Sequence, residues 1–183
     1  ADYYMQINSD NRQINKSLYY GIFLIALSTL MYEILLTRIF SVTMGYHFAF
    51  MAVSIAMFGM TVGALIVYML PGRFPQEKIH DLLTKHTFYF SISTIASFLI
   101  HIFVPFVHNL SAIGFLVTAL TYIVIALPFI FSGISISLLL TRFPKNVNRL
   151  YASDLTGAAL GCIVVVAALN YAGGPTSVFI AAF

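Results

Sequence analysis

Ionisable side chains inside long apolar runs are the few candidates for chemistry in this sequence. Glu33 stands inside an apolar run with Arg38 five residues later, and His101 stands inside another run. Ionisable groups are costly within a bilayer, so those found there are functional candidates by default. We therefore treat Glu33, Arg38 and His101 as a candidate intramembrane polar site. The weaker candidates are His47, His108 and Asp154.

Glu33 and His101 are expected at similar depths. At about 1.5 Å per helical residue, Glu33 lies roughly 13 Å from a run end near Val42. By the same count, His101 lies roughly 10 Å from a run end near His108. We expect the two side chains to face each other. An unpaired carboxylate at that depth tends to bind a proton. A proton relay, a polyamine contact or a quinone contact would each suit such a pair. A buried hydrogen bond that only fixes helix packing is the alternative.

Arg38 and Asp154 also have simple structural explanations. Arg38 can extend its guanidinium to the outer interface, bind an anion or pair with Glu33, although a spacing of five is less favourable than three or four. Asp154 lies in the first turn of a predicted helix, where an acid complements the helix dipole. Contact with a cytoplasmic domain is the alternative for Asp154.

The histidines raise a separate hypothesis. His101 and His108 share one helix face, and with His47 they fall in the same predicted half of the membrane. Two histidines on facing helices can ligate a haem, so a b-type haem or quinone site is one interpretation. Interfacial histidines bonded to water or to neighbours are the other. The single cysteine, Cys162, is expected to be a small packed residue, and no other metal or cofactor site is predicted.

The composition places most of this chain in lipid. Sixty per cent of the residues are hydrophobic and 8% are charged, whereas a soluble domain carries about 25% charge. The formal charge of +3 is concentrated in three short polar segments. That distribution is typical of membrane topology and does not indicate a nucleic-acid partner.

Six apolar runs predict an all-α, polytopic integral membrane bundle with five complete transmembrane helices and the start of a sixth. A polar cytoplasmic segment, 1–16, precedes a transmembrane domain, 17–183. The predicted helices are 17–42, 46–70, 87–107, 111–140, 152–170 and the incomplete 175–183. Pro128 should kink the fourth helix, and the freed carbonyls are expected to bond to Ser132, Ser135 and Ser137. Residues 76–85 suit a short amphipathic helix at the interface.

Basic residues predict the orientation of the bundle. Alternate polar segments carry eight Lys or Arg residues against none, leaving Arg38 aside. The positive-inside rule then places the N-terminus and the loops around residues 73–85 and 142–149 in the cytoplasm, and the chain in the inner membrane.

Small residues at four-residue spacing predict close helix contacts. Gly59 and Gly63 lie in the second run, and Gly157 and Gly161 lie in the fifth. Such pairs let helix backbones approach closely in lipid. They favour contact within one bundle, with a homo-oligomer through either pair as the alternative.

Three strings of residues resemble membrane-embedded spermidine synthase-like proteins. Tyr-Glu-Ile-Leu-Leu-Thr-Arg at 32–38 resembles the opening helix of that family, and Leu-Pro-Phe-Ile-Phe-Ser-Gly at 127–133 resembles its kinked helix. The most similar string is Leu-Tyr-Ala-Ser-Asp-Leu-Thr-Gly-Ala-Ala-Leu-Gly at 150–161. The similarity extends over helices one, two, four and five.

The resemblance implies that a soluble aminopropyltransferase-type domain, which binds decarboxylated S-adenosylmethionine, follows residue 183. This chain has no glycine-rich turn between a strand and a helix that could hold an adenosyl group. Its own part is therefore expected to be non-catalytic, anchoring or regulating such a domain. Two alternatives are a small membrane subunit of a larger, electron-transferring complex and a transporter-like bundle that uses Glu33.

Overall fold

A computed structural model describes residues 16–104 and 112–183, apart from the side chains of His47, Ala112, Ile113 and Phe115. The described chain is helical and contains no strand. The helices are α1 Lys16–Thr43, α2 Ala49–Met69, α3 Ile79–Phe103, α4 Ala112–Arg142 and α5 Val147–Ala182. Short 3-10 turns at Tyr46–Phe48, Pro71–Arg73, Gln76–Lys78 and Pro144–Asn146 precede α2, α3 and α5.

Five of these elements are long and apolar enough to cross a membrane. This confirms the all-helical class and the five long apolar helices expected from the sequence. Helix α3 begins earlier than predicted, at Ile79, so residues 76–85 do not form a separate interfacial helix. The reason is packing: Ile79 and Leu83 are buried in the same apolar cluster as Leu138, which extends the helix through its polar first turns.

Gly173 interrupts the last helix. Its φ of 75° and ψ of 171° are non-helical, and a φ in this region favours glycine. This kink lies between the fifth and sixth predicted spans, 152–170 and 175–183. The helical residues that follow pack back into the bundle, where Val178 and Ala181 are buried and the Phe179 ring lies 6.1 Å from that of Phe98.

Two pairs of parallel helices meet at glycines. Glycines 157 and 161 of α5 face the backbone of α1 at Phe23 and Leu27. Glycines 59 and 63 of α2 face α4 around residues 126–134, and Gly133 of α4 faces Met60. A Cβ on Gly161 would lie 2.7 Å from the Leu27 carbonyl oxygen, so only glycine permits this approach. These glycine faces are covered within the chain and are not free to contact a second copy.

The polar segments meet at one end of the bundle, here called the basic end. The Arg142 guanidinium donates to the Phe74 carbonyl at 2.9 Å, and the Gln76 amide donates to the Arg142 carbonyl at 3.1 Å. Asn146 donates to the Tyr19 hydroxyl at 3.0 Å, which brings the start of α1 to the same end. Helices α1, α3 and α5 therefore lead away from the basic end, and α2 and α4 return to it.

Replacing Gly161 by alanine should destabilise the bundle. The new Cβ would overlap the α1 backbone, and overpacking of this kind costs about 1–3 kcal/mol. Gly21→Ala is the matched control, because nothing lies within 4 Å of a Cβ at that helical position. Thermal unfolding in detergent should show a lower Tm for Gly161→Ala and an equal or higher Tm for Gly21→Ala. Equal values for the two variants would contradict the tight α1–α5 contact.

Candidate functional site

A buried hydroxyl pair joins α1 to α3 in the interior of the bundle. The Tyr32 and Ser97 side chains are both fully buried, with their oxygens 2.7 Å apart. Ser97 donates its own hydrogen to the Thr94 carbonyl, so Tyr32 is the donor to Ser97. The Tyr32 ring stacks on Phe129 of α4, with centroids 5.4 Å apart. One side chain thus contacts two neighbouring helices.

A second hydroxyl pair lies one turn earlier on the same face of α1. Thr29 and Ser132 are buried, and their oxygens are 2.6 Å apart. Thr29 donates to the Ile25 carbonyl, so Ser132 is the donor to Thr29. The prediction that Ser132 bonds a carbonyl freed by Pro128 is therefore wrong, because the hydroxyl is directed across the helix interface instead.

Tyr32, Ser97, Thr29 and Ser132 form what we call the polar column. None of the four was predicted from the sequence to be a site residue. A signal was available in retrospect: Thr29 and Tyr32 are three residues apart, as are Thr94 and Ser97, which puts each pair on one helix face. Hydroxyl groups held in this way can bind a polar ligand or fix the relative positions of α1, α3 and α4.

His101 lies near the end of α3, away from the basic end. Its side chain is buried, and Nε2 is 3.3 Å from the Thr43 hydroxyl oxygen. Thr43 donates to the Ile39 carbonyl, so His101 donates through Nε2 and its Nδ1 is an acceptor. No described residue bonds to Nδ1. The Phe40 ring packs against the imidazole, with centroids 5.0 Å apart.

Glu33 and His101 are not brought together. His101 contacts Thr43, which is ten residues after Glu33 and about 15 Å further along the α1 axis. The predicted equal depth depended on α3 continuing to His108. Helix α3 ends at Phe103 instead, so His101 occupies its last turn.

Glu33 and Arg38 also point to different sides of α1. Glu33 is half-buried and Arg38 is exposed. Five residues correspond to a rotation of about 140° around the helix, so the two side chains diverge. No ion pair or hydrogen bond joins Glu33 to another described residue.

The weaker candidates, Asp154, His47 and His108, do not join Glu33 or His101 in a described site. Asp154 is half-buried in the second turn of α5, nearer the basic end, and not in the first turn as predicted, because α5 begins at Val147. His108 and the side chain of His47 lie outside the described residues, so the haem hypothesis stays a prediction. Among the described residues, no group of three or more His, Cys, Asp and Glu side chains could hold a metal ion. Cys162 is exposed, so the prediction that it is a packed residue is wrong.

No family model, curated protein or solved structure matches this chain in the three comparisons made.

The Tyr32–Ser97 hydrogen bond should contribute measurably to stability. A double-mutant cycle of Tyr32→Phe and Ser97→Ala, followed by reversible unfolding in mixed micelles, isolates the bond from other effects. Interhelical hydrogen bonds in membrane proteins contribute about 0.6 kcal/mol and up to about 1.7 kcal/mol, and we expect a coupling energy in that range.

Thr61→Val provides the control for that cycle. The Thr61 hydroxyl is exposed and bonds only to the Met57 carbonyl of its own helix. The effects of Thr61→Val and Tyr32→Phe on the free energy of unfolding should therefore be additive. A Tyr32–Ser97 coupling energy no larger than the Tyr32–Thr61 value would contradict the assignment.

Proposed function

We propose that this chain is a membrane-embedded helical domain whose basic end faces the cytoplasm. The main support for this proposal is the exposed apolar surface around the bundle. Phe50, Phe58, Phe103 and Ile163 are each more than 60% exposed, at 75%, 66%, 79% and 66%. An apolar surface of this extent is incompatible with water but suits lipid chains.

The distribution of polar groups supports the same proposal. The hydroxyl groups of the polar column are directed inward and hydrogen-bonded. The basic segments meet at one end, where Arg142 bonds to the loop at Pro71–Phe74. The positive-inside rule assigns such an end to the cytoplasm.

Within this class, we propose the membrane domain of a spermidine synthase-like protein. The strings that carry the resemblance occupy connected positions in the bundle. Tyr32 of the first string stacks on Phe129 of the second. Gly157 and Gly161 of the third string pack against α1, the helix that contains the first string. The first and second strings thus contribute to the α1–α4 contact and the third to the α1–α5 contact, which supports the proposal that the three strings belong to one structural unit.

The role of this domain is proposed to be anchoring or regulation. An aminopropyltransferase-type domain after residue 183 would carry the chemistry and would bind decarboxylated S-adenosylmethionine. In the membrane domain, we assign Asp154 to the contact with that transferase-type domain. It is half-buried near the basic end and makes no ion pair with a described residue, so its carboxylate is available to a cytoplasmic domain.

The mass and activity of the natural polypeptide test this function. The chain described here is 20.3 kDa. We expect the polypeptide isolated from native membranes to be tens of kilodaltons heavier in denaturing mass spectrometry and to transfer aminopropyl groups from decarboxylated S-adenosylmethionine to an amine. The membrane part alone should show no transfer, because its described residues form helices and contain no strand-to-helix turn that could hold the adenosyl group.

Either of two results would contradict the proposal. A natural mass near 20.3 kDa would mean that no transferase domain is attached. A heavier polypeptide that transfers no aminopropyl group would contradict the proposed aminopropyltransferase activity. Co-purification with a haem absorbance band would favour the electron-transfer alternative, and flux abolished by Glu33→Gln would favour a transporter.

A further inference from the structure

Helix α3 presents an apolar stripe to the outside of the bundle. The stripe contains Phe88, Ile92, Leu99 and Phe103, which are spaced four, seven and four residues apart and therefore share one helix face. All four are exposed, from 40% for Leu99 to 79% for Phe103. The opposite face of α3 is buried against the bundle at Phe90, Thr94 and Ser97.

Two lysines stand at the basic end of this stripe. Lys85 precedes Ile92 by seven residues, and Lys78 precedes Lys85 by another seven, directly before α3 begins. Both are exposed. The loop containing Arg73, also exposed, lies alongside, because the neighbouring Phe74 ring is 5.9 Å from that of His86.

Tyr89 holds Lys85 at the junction of the polar and apolar parts. The Lys85 ammonium lies over the Tyr89 ring, 5.7 Å from its centroid. Side chains on a helix tilt toward its N-terminus, so the ring reaches back toward Lys85. Asp81 precedes Lys85 by one turn and Glu77 is adjacent to Lys78, but no described residue forms an ion pair with either lysine.

We propose that α3 binds one anionic phospholipid. The phosphate would lie between Lys78 and Lys85, with the Arg73 loop beside it, and the acyl chains would follow Phe88, Ile92 and Leu99. The order of the groups along α3 matches such a lipid as well as their charge does: the cations come first, then a tyrosine ring at the interface, then apolar side chains. An acidic protein would match the cations but leave the apolar stripe without a partner. This proposal rests on the membrane placement proposed above.

Native mass spectrometry of the purified chain in detergent tests the site. We would titrate phosphatidylglycerol and phosphatidylcholine with identical acyl chains. The wild type should bind one phosphatidylglycerol molecule at least tenfold more tightly than phosphatidylcholine. The double variant K78Q/K85Q should lose roughly tenfold or more of that affinity, and K78R/K85R should retain it. Arg38→Gln, which removes an exposed cation far from the basic end, should leave the affinity unchanged.

The outcomes separate this proposal from the one on which it rests. Equal affinity for the two lipids, wild-type affinity in K78Q/K85Q, or an equal loss in Arg38→Gln would each overturn the lipid site. Alkaline carbonate extraction is run on the same preparations. Release of the wild-type chain from membranes would instead contradict the membrane placement itself.

Discussion

The close approach of helix backbones at glycines is the constraint on which this bundle depends. Helices surrounded by lipid, as we propose for this bundle, gain no hydrophobic driving force from pairing and rely on short-range packing. The α1–α5 and α2–α4 pairs meet where glycines 157, 161, 59 and 63 leave no Cβ between the backbones. The glycine contact fixes α1 against α5, and the Tyr32–Phe129 stack places another side of α1 against α4. They thereby determine which of its side chains face the interior.

The polar column follows from that arrangement. With α1 held in place, Tyr32 reaches Ser97 on α3, and Thr29 reaches Ser132 on α4. Both hydroxyl pairs form hydrogen bonds within the bundle, which offset the free-energy cost of burying polar groups in an apolar medium. The outer surface of the described bundle carries many large apolar side chains, and the charged residues gather mainly at the basic end. Glu33, half-buried and unpaired with any described residue, is the most unusual group in the bundle.

Local sequence signals predicted the helices but not how they pair. Long apolar runs predicted five long apolar helices, because this signal depends on neighbouring residues only. The glycine spacing indicated close contacts, yet it could not show that α5 meets α1. The Glu33–His101 pair failed for a different reason. Its depth estimate assumed that α3 continues to His108, whereas the helix ends at Phe103 and Val104, which precedes Pro105, is extended.

Cysteine accessibility tests the placement of the two ends of the bundle most directly. In a Cys162→Ser background, Lys78→Cys marks the basic end, and Tyr171→Cys, at a residue 93% exposed, marks the other. A membrane-impermeant maleimide applied to intact cells should label Tyr171→Cys, and Lys78→Cys should be labelled only after permeabilisation. Labelling of both variants in intact cells would contradict a bundle that crosses the membrane. Labelling of Lys78→Cys alone would reverse the orientation.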